Sequence, residues 1–296
     1  MSTKNTDCAL AANLHFPPLR ATIFAASVVN PSISGFNHHP QGNNVYGVYT
    51  GFGELAVHAE LELFALWRVA PKVSVETDGE PLTGRLDEKA WGFRVKGRSL
   101  VDLDYSAEAI LETGFAGSNE IRAYGVTSGA GYRSKHLRWH PRGFAQFDYA
   151  SGDKSPHDRR HGTFDTMYPT AHDRFGIADQ FGWQNIVAAR AGLTIEPHRR
   201  WTVTTQFLDF WLASATDALY NSSGAAIVLD ATGRSGSHVG KEVDAYSWYE
   251  LNRHVNVGAG IGHILPGKLL ATLRGAGYTY SYFAINFKDA GTPVTH

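Results

Sequence analysis

The chain has a single cysteine, Cys8, so no disulfide can form within it. Charged residues make up 19% of the 296 residues, below the usual share of about 25%. Lysine plus arginine (27) and aspartate plus glutamate (28) nearly balance, leaving a formal net charge of −1 and no basic field to draw nucleic acid. No run of about 18 apolar residues occurs, so no transmembrane helix is available. That absence leaves a membrane open as a site, because a barrel strand needs only about 10 residues with every second one apolar. A mean hydropathy of −0.24 is compatible with such strands. The sequence also lacks a serine-hydrolase GxSxG, a metalloprotease HExxH, a phosphate-cradling GxxxxGK and a dinucleotide fingerprint. No export signal is visible at the start: Lys4 is followed by Asp7, the apolar run from Cys8 to Ala12 is short, and Asn13, His15, Pro17 and Pro18 end it. Residues 1–18 are expected to be a segment outside the folded body, of a chain that starts inside a longer coding region.

What the chain does have is period-two alternation. From Val57 to Arg68 one face reads Val57, Ala59, Leu61, Leu63, Ala65, Trp67, and the other is rich in His58, Glu60, Glu62 and Arg68. Leu103, Tyr105, Ala107, Ala109 and Leu111 alternate with Asp102, Asp104, Ser106, Glu108 and Glu112. Val187, Ala189, Ala191, Leu193 and Ile195 alternate with Arg190 and Thr194, and Phe283, Ile285 and Phe287 close the series. About twelve such segments fall between residues 19 and 287, long enough for tilted strands to cross a bilayer. Turn residues separate them, with longer breaks at 150–183 and 213–239. Gly258, Gly260 and Gly262 alternate inside one segment and read as a slim wall. A soluble sandwich also alternates. Three features favour a barrel: full charges on the polar face, aromatics near segment ends as in an interfacial girdle, and segments longer than a sandwich's usual 5–6 residues. The expectation is an all-β antiparallel transmembrane barrel over 19–287, followed by a tail at 288–296.

Several motifs sharpen this reading. Gly162-Thr-Phe-Asp-Thr-Met-Tyr-Pro-Thr-Ala-His172, then Asp173-Arg-Phe-Gly-Ile-Ala-Asp179 and Trp183-Gln-Asn185, form the most specific stretch. Phe147-Asp-Tyr-Ala-Ser-Gly-Asp153 lies upstream, and Thr216-Asp-Ala-Leu-Tyr220 and Gly240-Lys-Glu-Val-Asp244 lie downstream. In order and spacing these segments resemble the alginate-export family of outer-membrane porins, over residues 20–287 and most strongly over 142–250. The resemblance implies a barrel of about eighteen strands, so this chain looks like the C-terminal two-thirds of a member, or a shortened one. It implies a bacterial outer-membrane location, contact with outer-membrane lipid and barrel-insertion machinery, and passage of anionic polysaccharide or small polar solutes. It also implies a terminal aromatic read during insertion, a role Phe287 fits although Lys288 to His296 follow it.

The expected lumen is of mixed charge. Arg94, Lys96, Arg122, Arg142 and Arg190 are the candidate cations, facing Glu60, Glu62, Asp104, Glu108 and Glu112. Guanidinium stays charged and grips carboxylate at two points, which suits uronates, though these side chains could equally pair with lumenal acids to hold the wall. The 150–183 break supplies candidates for a constriction loop: Asp153, Arg159, Arg160, Asp165, His172, Arg174 and Asp179. His157, His161 and His172 lack the spacing and thiolate company of a metal site, and neither a metal nor another cofactor is expected. No catalytic residue is assigned. The alternatives are a soluble saccharide-binding β-sandwich and a polysaccharide-active enzyme, which would need an aromatic groove or a convergent Tyr, His and Arg cleft respectively.

Overall fold

The computed structural model describes residues 8–29, 41–55, 58–77, 80–99, 101–155, 158–167, 175–273 and 275–288. The strands are β1 (Cys8–Phe16), β2 (Leu19–Ser27), β3 (Asn44–Leu55), β4 (Ala59–Thr77), β5 (Glu80–Arg98), β6 (Leu103–Ala116), β7 (Asn119–Arg133), β8 (Arg142–Ala150), β9 (Arg160–His161), β10 (Ile186–His198), β11 (Trp201–Trp211), β12 (Leu219–Tyr220), β13 (Ala226–Val228), β14 (His238–Asn252), β15 (Val255–Pro266) and β16 (Tyr278–Phe287). A short helix, α1 (Lys268–Leu273), precedes the last strand. All long strands belong to one sheet in the order β1-β2-β3-β4-β5-β6-β7-β8-β10-β11-β14-β15-β16, each antiparallel to its neighbour, with β9 added in parallel beside β7. Among the described residues β1 and β16 pair only with β2 and β15, so the sheet is not closed on itself. The only other sheet among those residues is the pair β12 and β13, so there is no second layer of the kind a β-sandwich requires.

Sequence-adjacent hairpins with charged residues on one face and apolar ones on the other are the pattern of a barrel wall. The strands from β2 onward match the alternating segments. β1 is an addition: Leu10, Leu14 and Phe16 point to the exposed side, and the segment pairs along its whole length with β2. Its small residues and central Asn13 hid the alternation, and Thr22 on β2 satisfies that asparagine. Residues 8–16 therefore join the sheet rather than lying apart from it.

The two ends of the sheet differ. Tight turns join β1 to β2, β10 to β11 and β14 to β15 at one end, whereas the segments after β8 and β11 are long and return at the other. The two longest connections fall at one end, although the two-residue β6–β7 turn also lies there, and long loops gathered at one end are a feature of outer-membrane barrels.

The core sits inside the curve of the sheet. Phe164, Phe175, Phe181 and Trp183 from the loop after β8 pack against Ala123, Ile186, Leu208, Phe210 and Ile264 of the strands. Phe181 meets Phe210 edge-on, with ring centroids 5.0 Å apart. The opposite face carries Trp91, Phe93, Leu111, Phe115, Tyr124, Phe147, Phe207, Ile261 and Phe283, all exposed. Such an apolar exterior would be a liability in water, and it is what a lipid-facing belt needs.

Candidate functional site

Register decides which side chains face inward, because residues directly opposite one another share a face. Glu62 pairs with Arg94, which pairs with Glu108, and Asp104 shares the same inner row system through Gly131 and Arg142's strand. Thus Glu60, Glu62, Arg94, Lys96, Asp104, Glu108, Glu112, Arg142 and Arg190 all project to the inner face. Most are matched. Arg94 donates to Glu62 through Nε at 2.7 Å, Lys96 lies 3.1 Å from Glu60, and Arg142 grips Asp104 through both Nε and a terminal nitrogen at 2.9 and 2.5 Å. The inner wall is a set of cross-strand ion pairs in which neither sign dominates.

Arg122 is the exception, and here the expectation needs correcting. It lies opposite Thr113 and on the same side as Tyr124, on the outer face, where it pairs with Glu120 at 2.9 Å. The alternation is inverted locally because the apolar set of β7 turns inward, Ala123 into the core with the packed loop and Ile121 into a smaller cluster with Ala70, Leu86 and Ala116. Arg122 stands three residues from the start of β7, about 10 Å along the strand, at the long-loop end. Near a membrane interface a cation costs roughly 0–1 kcal/mol, against about 2–4 kcal/mol at the midplane.

Sequence reasoning passed over Arg68, although it ends one of the alternating segments. Its guanidinium is shared between Glu88, at 2.9 Å from Nε, and Asp165 of the loop. Asp165 also donates its N–H to the buried Glu112 at 2.9 Å and accepts from the Met167 N–H at 2.6 Å. On the far side of the curve, the Ala178 N–H donates to Glu242 at 3.0 Å and the Ile177 N–H to Asp244 at 3.3 Å. Two described stretches of the segment after β8 are thereby held to the inner face, one at β4 and β6 and the other at β14.

The motif segments converge on one knot. Asp217, fully buried, accepts from the Asp153 N–H at 2.8 Å, Thr163 Oγ1 at 2.7 Å, the Ala218 N–H at 2.6 Å and Tyr220 Oη at 2.9 Å. Burial pushes its carboxyl above the usual range, and these hydrogen bonds pull the other way. Asn185, at φ 46°, donates to the carbonyls of Ser214 and Ala218 and accepts from the Ser214 N–H. Gly152 packs so tightly that a Cβ there would meet Asn185 Oδ1 at 1.9 Å. The Ser-Gly-Asp, Trp-Gln-Asn and Thr-Asp-Ala-Leu-Tyr stretches thus fasten two long loops together.

The other loop candidates are placed as follows. Asp153 closes a local turn by accepting from the N–H groups of Ser155 and Gly162. Arg159 and Arg160 are exposed, and the Arg159 carbonyl accepts from the Glu120 N–H. Asp179 is half-buried beside the Ile177–Ala178 anchor. His157, His172 and Arg174 lie outside the described residues. His161 is buried, and that burial lowers its pKa, against the pull of Asp165 and Asp153 and with that of Arg68.

Beyond the loop, the inner face bounds a cavity of about 730 Å³, lined from β6 round to β16 and by Gly176 and Ile177. Rings lie flat on its wall over glycines of the neighbouring strand: a Cβ at Gly258 would meet Trp248 at 2.5 Å, at Gly260 Tyr282 at 2.4 Å, and at Gly192 Phe144 at 2.4 Å. Gly258 and Gly260 are therefore a slim wall onto which aromatic rings fold, whereas Gly262 makes room for Asp244 and Ile177.

A curved antiparallel sheet with a charged interior, an apolar aromatic exterior and loop segments packed on its inner face is the construction of a membrane channel wall. The family model described as alginate export matches residues 54–283. The chain belongs to the alginate export family. Among solved structures it is similar to the outer membrane channel DcaP of Acinetobacter baumannii, at 12% identity, over 94% of this chain and 82% of that one, with a TM-score of 0.44. No curated protein matches it.

Proposed function

We propose that the protein is an outer-membrane channel that passes anionic saccharides, alginate-like chains among them, or other small polar solutes, passively and without catalysis. The observation that carries this reading is the opposition of the two faces of one sheet: paired charges inside, exposed aromatics and aliphatics outside. Charged side chains facing water cost little, and the same side chains facing lipid would be expensive. A pore lined by such pairs selects by size and transverse field. The loop tied to Arg68, Glu112, Glu242 and Asp244 acts as the constriction. Outer-membrane lipid covers the outer belt, and insertion relies on the barrel-assembly machinery reading the terminal strand at Phe287. The alternative of a polysaccharide-active enzyme has weaker support, because Glu60, Glu62, Glu88 and Asp104 pair with Arg or Lys and Glu112, Glu242 and Asp244 hold loop N–H groups.

The test is conductance of the purified, refolded protein in planar bilayers. Stepwise channel openings in potassium chloride are the expected result, with β structure and almost no helix by circular dichroism in detergent. A folded protein that inserts without conducting, or one that folds as a monomer in detergent-free buffer, overturns the reading.

A further inference from the structure

The geometry points to a binding site for small ring-bearing monocarboxylates inside the channel, with Arg190 as the cation and Trp248 and Tyr282 as the stacking platform. The inference rests on the inner face being the lumen. Three observations carry it.

The first is charge. Of the two arginines that line the cavity among the described residues, Arg142 is neutralised by two-point contact with Asp104. Arg190 has no carboxylate partner among the described residues. A terminal nitrogen donates to the amide oxygen of Gln146, and its Nε is buried with no hydrogen-bond partner among those residues. The Gln146 amide nitrogen is spent on Asp148, at 3.0 and 2.8 Å, which fixes the side chain with its oxygen toward Arg190. Among the described residues the cavity lining thus holds one cation beyond its internal pair, which matches one carboxylate and not a string of them.

The second is orientation. The Arg190 guanidinium lies over the Phe144 ring at 5.6 Å, and Phe144 in turn lies flat over Gly192. A guanidinium seated on a fixed ring loses little freedom when it binds a carboxylate with its fork.

The third is the platform. Trp248 and Tyr282 rest one face each on Gly258 and Gly260 and line the same cavity. A ring backed by glycine turns its other face to the cavity, where a flat apolar ring stacks on it. The volume of about 730 Å³ is that of a small-molecule site. The shared chemistry is a carboxylate on a ring with an apolar face, which an arene or a pyranose supplies.

The experiment is calorimetric titration of the detergent-solubilised protein with benzoate, cyclohexanecarboxylate, glucuronate and acetate. The ring carboxylates are expected to bind at least about tenfold more tightly than acetate. Benzoate ahead of glucuronate assigns an arene, and the reverse a pyranose; either supports the site. Arg190→Gln should weaken binding by about tenfold or more, the worth of a hydrogen bond to a charged group. Arg190→Lys keeps the charge and should retain part of the affinity, which separates loss of the cation from loss of fold. Trp248→Ala should weaken benzoate while leaving acetate unchanged. Equal binding of acetate and benzoate, or an Arg190→Gln protein that binds as before, overturns the inference. Conductance recorded on the same preparation keeps the two readings apart. A conducting protein that does not distinguish benzoate from acetate overturns this site alone. Benzoate binding by a folded protein that never conducts overturns the channel and leaves the site standing.

Discussion

The carboxylate of Asp217 accepts a hydrogen bond from the backbone N–H of Asp153, 64 residues earlier, at 2.8 Å, and so fastens one long loop to another. The same carboxylate takes three further donors, from Thr163, Ala218 and Tyr220. Asp217→Ala leaves all of these buried groups without their acceptor. Each orphaned donor costs about 1–3 kcal/mol, less where the loops relax, so a loss of at least about 2 kcal/mol is expected. Asp217→Asn, which keeps one oxygen, should lose less. Thermal unfolding in detergent measures both. An Asp217→Ala protein that melts with the wild type would show that the knot adds nothing to stability.

Acidification should loosen the same region through His161. Burial lowers its pKa in the folded protein below the ordinary value of about 6.5. The unfolded state then binds the extra proton more readily, so stability rises with pH across this window. It should be full above about pH 6.5 and should fall as the pH drops from there toward the lowered folded value. The neighbouring Asp165 and Asp153 soften the effect by stabilising the charged ring, and Arg68 strengthens it. His161→Gln should flatten the dependence of melting temperature on pH between 7.5 and 5. An unchanged slope in that variant would assign the acid sensitivity to other groups.

The strand pattern was legible in the sequence because lipid and water impose opposite demands on alternate residues, and the long strands from β2 onward carry that imprint. What alternation could not reveal was the inside of the fold. Where the loop packs its own phenylalanines against the wall, the inner face becomes apolar too. The rule that apolar means outward then fails, as it does at Ala123, and at Ile121 where the strands pack their own small cluster, and Arg122 is placed wrongly with them. The roles of Arg68 and Asp217 were hidden for a different reason. Their partners lie 97 and 64 residues away in sequence, and no local pattern encodes such pairings. The family-like motifs marked the right segments but not their use, which is to bind loops to each other and to Glu242 and Asp244.

Arg122 and Arg190 make a direct comparison of faces. Arg122→Glu, on the outer side, should leave the reversal potential in a salt gradient unchanged. Arg190→Glu, on the inner side, should shift it toward cation selectivity. The shift should be larger at low ionic strength, since the field is screened over about 8 Å at physiological salt. If the two variants exchange these behaviours, the assignment of inner and outer faces is reversed.

The ring-on-glycine contacts predict sharp intolerance of small substitutions. Gly258→Ala places a methyl where Trp248 lies, 2.5 Å from a ring atom, and the indole must move or tilt. Overpacking of this kind costs about 1–3 kcal/mol. Gly143, also in a strand, has open space around its Cβ position. Gly143→Ala should therefore be nearly neutral. Equal melting temperatures for the two alanine variants would remove the steric explanation.

The constriction itself is tested at Arg68. Its guanidinium holds Asp165 of the loop against the wall while neutralising Glu88, whose side chain is 2% exposed. Arg68→Met removes the tether and strands a buried carboxylate, a change worth about 3–5 kcal/mol where a pair is broken from one side. Much of that cost is the charge left on Glu88. The double variant Arg68→Met with Glu88→Gln removes that charge and should recover part of the stability, while Asp165, less deeply buried than Glu88, keeps its charge without the guanidinium. The loop in the double variant has lost its Arg68 tether and keeps the Asp165 N–H bond to Glu112 and the contacts to Glu242 and Asp244. If the loop narrows the pore, single-channel conductance should rise in this folded double variant, and large polar solutes should enter faster. Glu242→Gln with Asp244→Asn attacks the opposite attachment and should act in the same direction. A well-folded double variant with wild-type conductance would place the narrowest point of the channel elsewhere than this loop.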